Sequence, residues 1–119
     1  MTEPLTNSID LATFTELQET TGAEFTAELV DTFLDEAPQL LEQLTAALAA
    51  GQADAFRRTA HSLKTNALTF GALTLAAKAR ELEQQSIESV NADGAHPLHA
   101  LAQEYARVVA ALKALCHAV

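Results

Sequence analysis

The chain has little of what disulfide-bonded or membrane-spanning proteins need. Its 119 residues include one cysteine, three prolines, four glycines, one tyrosine and no tryptophan. A single cysteine excludes a disulfide within the chain, and the N-terminal residues lack the charged-then-apolar order of a signal peptide. No apolar run approaches the roughly 20 residues that cross a bilayer. These absences favour a single domain in the reducing cytoplasm that is not bound to a membrane.

Basic residues are also scarce, with seven Lys and Arg against sixteen Asp and Glu and a formal net charge of −9. So acidic a chain is not expected to bind nucleic acid or anionic lipid. The distribution is uneven, however, because residues 55–80 contain no acidic residue. This local positive field predicts an anionic group or an acidic partner surface, and a solvated basic helix face is the alternative. The cations of this window are Arg57, Arg58, Lys64, Lys78 and Arg80.

Alanine and leucine, by contrast, are abundant and recur at helical spacing, which predicts an all-α fold. We expect an antiparallel up-down four-helix bundle with a short N-terminal helix packed across one end. Residues 1–12 are predicted to be a flexible lead-in and residues 13–119 the bundle domain. A Thr13–Glu16 capping box begins the short helix, and a Thr21–Glu24 box begins the first long helix. Side chains predicted to point inward include Phe14, Leu17, Phe25, Leu29, Val30, Phe33, Leu73, Ala76, Leu82, Ile87, Leu101, Tyr105 and Leu112.

Proline and glycine mark the ends and interruptions of these helices. Pro38 removes a backbone hydrogen bond from the first long helix and predicts either a kink near Ala37 or two abutting helices. Gly71 is placed to end the second long helix with a left-handed backbone. That second helix is predicted over residues 53–70. The third runs from Leu73 to just before a loop at residues 91–95, and the fourth begins at about Pro97.

His61 is the residue of greatest chemical interest. It lies outside the apolar seam of its helix and is therefore predicted to face water. Arg57 and Lys64 lie within one turn on the same side, with Arg58 close behind. A solvent-facing imidazole among cations suits a nucleophile that takes up and hands on an anionic group. The seam that His61 avoids consists of Phe56, Ala60, Leu63, Ala67 and Phe70.

The residues around His61 form a specific pattern, Ala60-His61-x-Leu63-Lys64, followed by Gly71-Ala72 and Leu75 at helical spacing. Together with the acidic, leucine-rich segment of residues 28–34 and the segment of residues 75–83, this pattern resembles the histidine phosphotransfer (HPt) domain. The resemblance extends from about Leu11 to the C-terminal helix.

The resemblance implies a cytoplasmic phosphorelay carrier in two-component signalling. His61 is then the phosphoacceptor, which receives its phosphoryl group from a receiver-domain aspartate and passes it to another receiver, and Lys64 stabilises that group. The implied partners are response-regulator receiver domains and a hybrid histidine kinase. The chain lacks a Gly-rich phosphate loop and a kinase signature, so we expect a covalent carrier without kinase activity. No cofactor is expected on this chain, and Mg²⁺ is expected from the receiver, because no carboxylate is foreseen near His61.

The surface beside His61 is predicted to dock the partner. Thr65 occupies a position where the family usually has glycine, and its side chain either adds bulk there or bonds the carbonyl four residues back. Leu68 points roughly as His61 does, and an exposed leucine without function is the alternative. Phe14 and Leu34 either join this patch or pack between helices. The predicted docking residues are Arg57, Arg58, Thr65 and Leu68.

Two alternatives remain open. A helical adaptor that binds a signalling partner without phosphate chemistry has the same core and differs only at the histidine and its cations. A domain of a hybrid kinase is the alternative to a free-standing monomer. The other candidate ligands, His96 and His99 in one pair and Cys116 and His117 in another, lie about 25–30 Å apart along one helix, so no metal site is expected.

Overall fold

The computed structural model describes residues 8–94 and 96–117, and it confirms the all-α class. None of the helices in these two ranges is long and apolar enough to cross a membrane. Within them the chain forms six helices and no strand: α1 (Leu11–Thr21), α2 (Ala23–Ala50), α3 (Ala53–Thr69), α4 (Leu73–Gln84), α5 (Ile87–Ala92) and α6 (His96–His117).

The first helix begins three residues earlier than predicted, so the predicted Thr13–Glu16 capping box is wrong. Its N-cap is Asp10, whose carboxylate accepts a hydrogen bond from the backbone N–H of Thr13 at 3.2 Å. Ile9 is buried in the core, and the backbone N–H of Asp10 donates to the carbonyl of Gly71 at 2.7 Å. Packing therefore begins before the predicted boundary at residue 13. Residues 1–7 of the predicted lead-in lie outside the described residues.

The long helix α2 passes through Pro38 as one continuous helix, so the prediction of two abutting helices is wrong. Pro38 is exposed, so the position that lacks a backbone N–H lies on the side of α2 that water reaches. The predicted Thr21–Glu24 capping box is also wrong. Thr21 is the last residue of α1, and its hydroxyl donates to the carbonyl of Leu17 at 2.9 Å instead of capping α2.

The predicted third long helix is divided into α4 and α5. Ser86 explains the division, because its hydroxyl accepts a hydrogen bond from the backbone N–H of Ser89 at 3.1 Å and begins a new helix. Helix α5 buries Ile87 and Val90, and it includes Asn91 and Ala92, which were predicted to lie in a loop.

The core lies between α2, α3, α4 and α6. Helix α3 packs on α2 and α4, α6 packs on α2 and α4, and α1 packs on α2 and α3. The ring of Phe33 lies 5.2 Å from that of Phe70 and 6.0 Å from that of Tyr105. Two side chains predicted to point inward are exposed, Phe25 at 51% and Leu73 at 49%. Both lie in the first turn of a helix, where few neighbouring side chains cover them.

Candidate functional site

Helix α3 holds His61 in solvent. The predicted seam is buried, with Phe56, Leu63 and Phe70 each at most 4% exposed. The His61 side chain, on the opposite side of the helix, is 57% exposed. The prediction that the imidazole faces water is confirmed. Burial of the seam fixes the rotation of α3, and that rotation presents the ring.

The nearest partner of His61 is Glu83 on α4, which sequence reasoning missed. His61 Nδ1 lies 2.8 Å from Glu83 Oε2, and Lys64 Nζ donates to Glu83 Oε1 at 2.8 Å. The expectation that no carboxylate lies near His61 is therefore wrong. Residues 55–80 lack acidic residues, but α4 packs on α3 and brings an acid from just beyond that window. A signal was present, since Glu83 follows buried Leu82 and lies at the edge of the buried face of α4.

These contacts assign the proton on the His61 ring. The hydrogen bond from Lys64 lowers the pKa of Glu83, partial burial opposes this, and the hydrogen bond with His61 lowers the pKa further. Glu83 is therefore ionised at neutral pH and can only accept hydrogen bonds. In the neutral imidazole, Nδ1 must then carry the proton. Nε2 is left with its lone pair on a ring that is more than half exposed.

The positive charge around His61 is partly neutralised. Lys64 is only 22% exposed and pairs with Glu83. Arg57 pairs with Asp54 one turn earlier on α3, and Arg58 donates from Nε to the carbonyl of Asp54 at 3.4 Å. The arginines stay exposed on the solvent side of α3. Lys64, by contrast, is held close to the His61 ring by their shared contact with Glu83.

Thr65 takes the second of its two predicted conformations. Its hydroxyl donates to the carbonyl of His61 at 3.1 Å, which turns the side chain back along the helix. Thr65 and His61 also line an open polar groove of about 590 Å³ between α2 and α3. The residues of this groove are Glu36, Gln39, Leu40, Gln43, His61, Ser62, Thr65 and Asn66.

The apolar residues predicted near the site divide into two groups. Leu68 is 47% exposed, as predicted. Phe14 is buried in the core, and Leu34 is half-buried and packs against the core. The interpretation of these two residues as packing residues is therefore the correct one. The expected docking patch therefore does not include Phe14.

The histidines of α6 lie apart from this site. His96 and His99 are exposed at the start of that helix, while Cys116 lies near its end. Burial and the charge of Asp31 raise the pKa of the Cys116 thiol. Among the residues in 8–94 and 96–117, no group of three or more His, Cys, Asp or Glu side chains is placed to hold a metal ion.

An exposed histidine on a helical bundle, with a lysine one turn away and a carboxylate that contacts both, fits the histidine phosphotransfer class that the sequence pattern predicted. The Hpt domain family model matches residues 28–119. The chain belongs to the Hpt domain family, and it is a histidine phosphotransfer protein of a phosphorelay. Proteins of this family are phosphate carriers rather than kinases.

A solved structure supports the same assignment. The crystal structure of histidine-containing phosphotransfer protein B (HptB) from Pseudomonas aeruginosa PAO1 is 30% identical in sequence, with a TM-score of 0.85. The match covers 94% of this chain and 96% of that chain. No curated protein sequence matches the chain.

Proposed function

We propose that this carrier accepts a phosphoryl group on Nε2 of His61 from the aspartyl phosphate of one receiver domain and passes it to the aspartate of another. The observation that carries the proposal is the hydrogen bond between His61 Nδ1 and Glu83. It fixes the ring and occupies one nitrogen, while the exposed side of the ring leaves the other nitrogen accessible to a docked protein. A buried histidine would not serve two partners in turn.

The chemistry follows from this geometry. The Nε2 lone pair attacks phosphorus, an N–P bond forms as the P–O bond to the receiver aspartate breaks, and the aspartate leaves as a carboxylate. The ring keeps its Nδ1 proton and therefore gains positive charge. The Glu83 carboxylate, with Oε2 2.8 Å from Nδ1, stabilises that charge without taking the proton. Transfer to the second receiver reverses these steps.

Lys64 is the chain's cation for the phosphoryl group. An ammonium has three donor hydrogens, and Glu83 accepts one from Lys64, so two are left for phosphoryl oxygens. Transfer of a phosphoryl group depends mainly on alignment and on stabilising charge at its oxygens. Glu83 holds Lys64 on the same side as His61, which places this charge before the partner arrives.

The Mg²⁺ that neutralises the receiver's phosphate is held by the receiver in this proposal. Glu83 is the carboxylate that contacts His61, and both of its oxygens already accept hydrogen bonds. Arg57, Arg58, Thr65 and Leu68 contribute to the docking surface. Its partners are response-regulator receiver domains and a hybrid histidine kinase, which a monomeric carrier visits one at a time and without kinase activity of its own.

The test is to incubate the protein with a phosphorylated receiver domain and Mg²⁺ and to follow phosphate on the carrier. We expect acid-labile, base-stable phosphate on the wild-type protein and none on His61→Gln. The matched control is His99→Gln, which changes an exposed histidine on α6 and should be labelled normally. Labelling of His61→Gln would refute the proposal, as would a wild-type protein that takes phosphate from no receiver and acts only as an adaptor.

A further inference from the structure

A second groove, with a different character, lies between α3 and α4. It has a volume of about 480 Å³, and Leu68 of α3 and Leu73 of α4 line it with 47% and 49% of their surfaces exposed. Leu68 lies seven residues after His61, so it is about 10 Å further along α3 and points within about 20° of the same direction. The other lining residues are Lys64, Ala76, Ala77 and Arg80.

The grooves on the two sides of α3 thus differ in what they offer a partner. The groove between α2 and α3 is lined mostly by amide and hydroxyl side chains, with Glu36 as its charged residue. The groove between α3 and α4 is lined by aliphatic side chains and two cations. A single exposed leucine is ordinary, but two on neighbouring helices that line one groove form an apolar patch of the kind that protein partners cover.

Charge and position identify the occupant. Two cations line this groove in a chain of net charge −9. Because Lys64 pairs with Glu83, Arg80 is the one that favours a partner with a carboxylate beside its apolar side chain. Lys64 lines this groove and also pairs with the carboxylate that holds His61. A protein centred on His61 therefore lies against the groove as well.

We infer that the groove between α3 and α4 docks the receiver domain and contributes to its selection. It takes an apolar side chain from the face around the receiver's phosphoaspartate, between Leu68 and Leu73, and sets a neighbouring receiver carboxylate against Arg80. This inference rests on the proposed function and names the part of the surface that recognises the partner.

The experiment separates docking from the chemistry of His61. The wild-type protein and the Leu73→Asp variant are first phosphorylated with phosphoramidate, a small donor that needs no docking surface. Each is then mixed with Mg²⁺ and a purified receiver domain chosen because it takes phosphate from the wild-type carrier. The control is Phe25→Asp, which places the same charge on an equally exposed side chain in the first turn of α2.

We expect phosphoramidate to label all three proteins equally. With Leu73→Asp, the receiver concentration that gives half-maximal transfer should rise at least about tenfold while the limiting rate is kept, because loss of an apolar anchor weakens association. Phe25→Asp should behave as wild type. In each protein, circular dichroism should show the same helix content.

Three results would overturn the inference. Leu73→Asp would transfer to the receiver as wild type does, or it would lose labelling by phosphoramidate, or it would convert a dimer of the wild-type protein into monomers in sedimentation. The last result would make the groove a contact between two copies of this chain. A wild-type carrier that phosphoramidate labels but that serves no receiver would instead refute the proposed function.

Discussion

Glu83 Oε2 lies 2.8 Å from His61 Nδ1, although 22 positions separate the two residues in the chain. The other oxygen of the same carboxylate accepts a hydrogen bond from Lys64. His61 and Lys64 therefore share one anchor on α4. A change at Glu83 acts on both residues at once, which makes this position the most informative one to alter after His61 itself.

Glu83→Ala should slow phosphoryl transfer from a receiver to His61 by about 10- to 100-fold, because the ring loses both its orientation and the charge that stabilises it. Glu83→Gln keeps an acceptor oxygen without the charge and should lie between wild type and Glu83→Ala. Single-turnover transfer measures the rates, and nitrogen NMR of the ring reports whether Nδ1 still carries the proton. Glu81→Gln, on the exposed face of α4, is the control. Wild-type transfer by Glu83→Ala would contradict the assigned role.

The contribution of Glu83 to the stability of the fold should decrease as the pH falls. Its pKa is lowered from 4.5, chiefly by the hydrogen bond from Lys64. A carboxylate whose pKa is lower in the folded state stabilises the protein fully above its unfolded pKa, and this stabilisation is lost as the pH falls through the folded value. The difference in unfolding free energy between wild type and Glu83→Gln should thus shrink below pH 4.5. Urea unfolding over a pH series measures it, and a difference independent of pH would count against the ion pair.

Lys64→Ala should slow transfer and leave the fold intact. The ion pair that it removes lies near the surface and contributes little to stability, while the loss of charge at the phosphoryl oxygens acts directly on the transition state. Transfer rates and thermal unfolding are measured together, with Lys113→Ala on the exposed side of α6 as the control. A Lys64→Ala protein that unfolds would show that the residue is structural.

Gly71→Ala should destabilise the protein more than Gly51→Ala does. Both glycines have a left-handed backbone, with φ of 79° and 68°, and alanine there costs about 1–2 kcal/mol. A Cβ at Gly71 would also lie 2.8 Å from the backbone oxygen of Asp10, whereas at Gly51 it meets nothing within 4 Å. The clash should add about 1–3 kcal/mol. Urea unfolding of both variants measures the difference, and equal losses would mean that the contact with Asp10 relaxes freely.

Properties set within one helix were predictable from the sequence. The apolar seam of α3 determines which face of the helix is buried. The exposure of His61 on the opposite face could therefore be predicted from local spacing. The left-handed turn at Gly71 was also predictable locally, because glycine adopts this backbone most easily after a helix end. Ser86 carried an equally local signal for the start of α5, but the apolar spacing on either side of it favoured one helix.

The contact between α3 and α4 was not predictable in the same way. Which residue of α4 meets His61 depends on the rotation and offset of two packed helices, and the turn at residues 70–72 sets both. Residues 55–80 do lack acidic residues, but the expectation that no carboxylate lies near His61 was wrong, because packing brings Glu83 to the ring. The predictions that Phe25 and Leu73 point inward were wrong for a related reason, since helical spacing does not show where a neighbouring helix ends.

The open position of the His61 ring has a consequence for signalling. In the proposed reaction, a donor and an acceptor meet the same nitrogen from the same side of the ring. We therefore expect the carrier to impose no direction of its own. The net flux of phosphoryl groups through the carrier would be set by the fraction of each receiver that is phosphorylated.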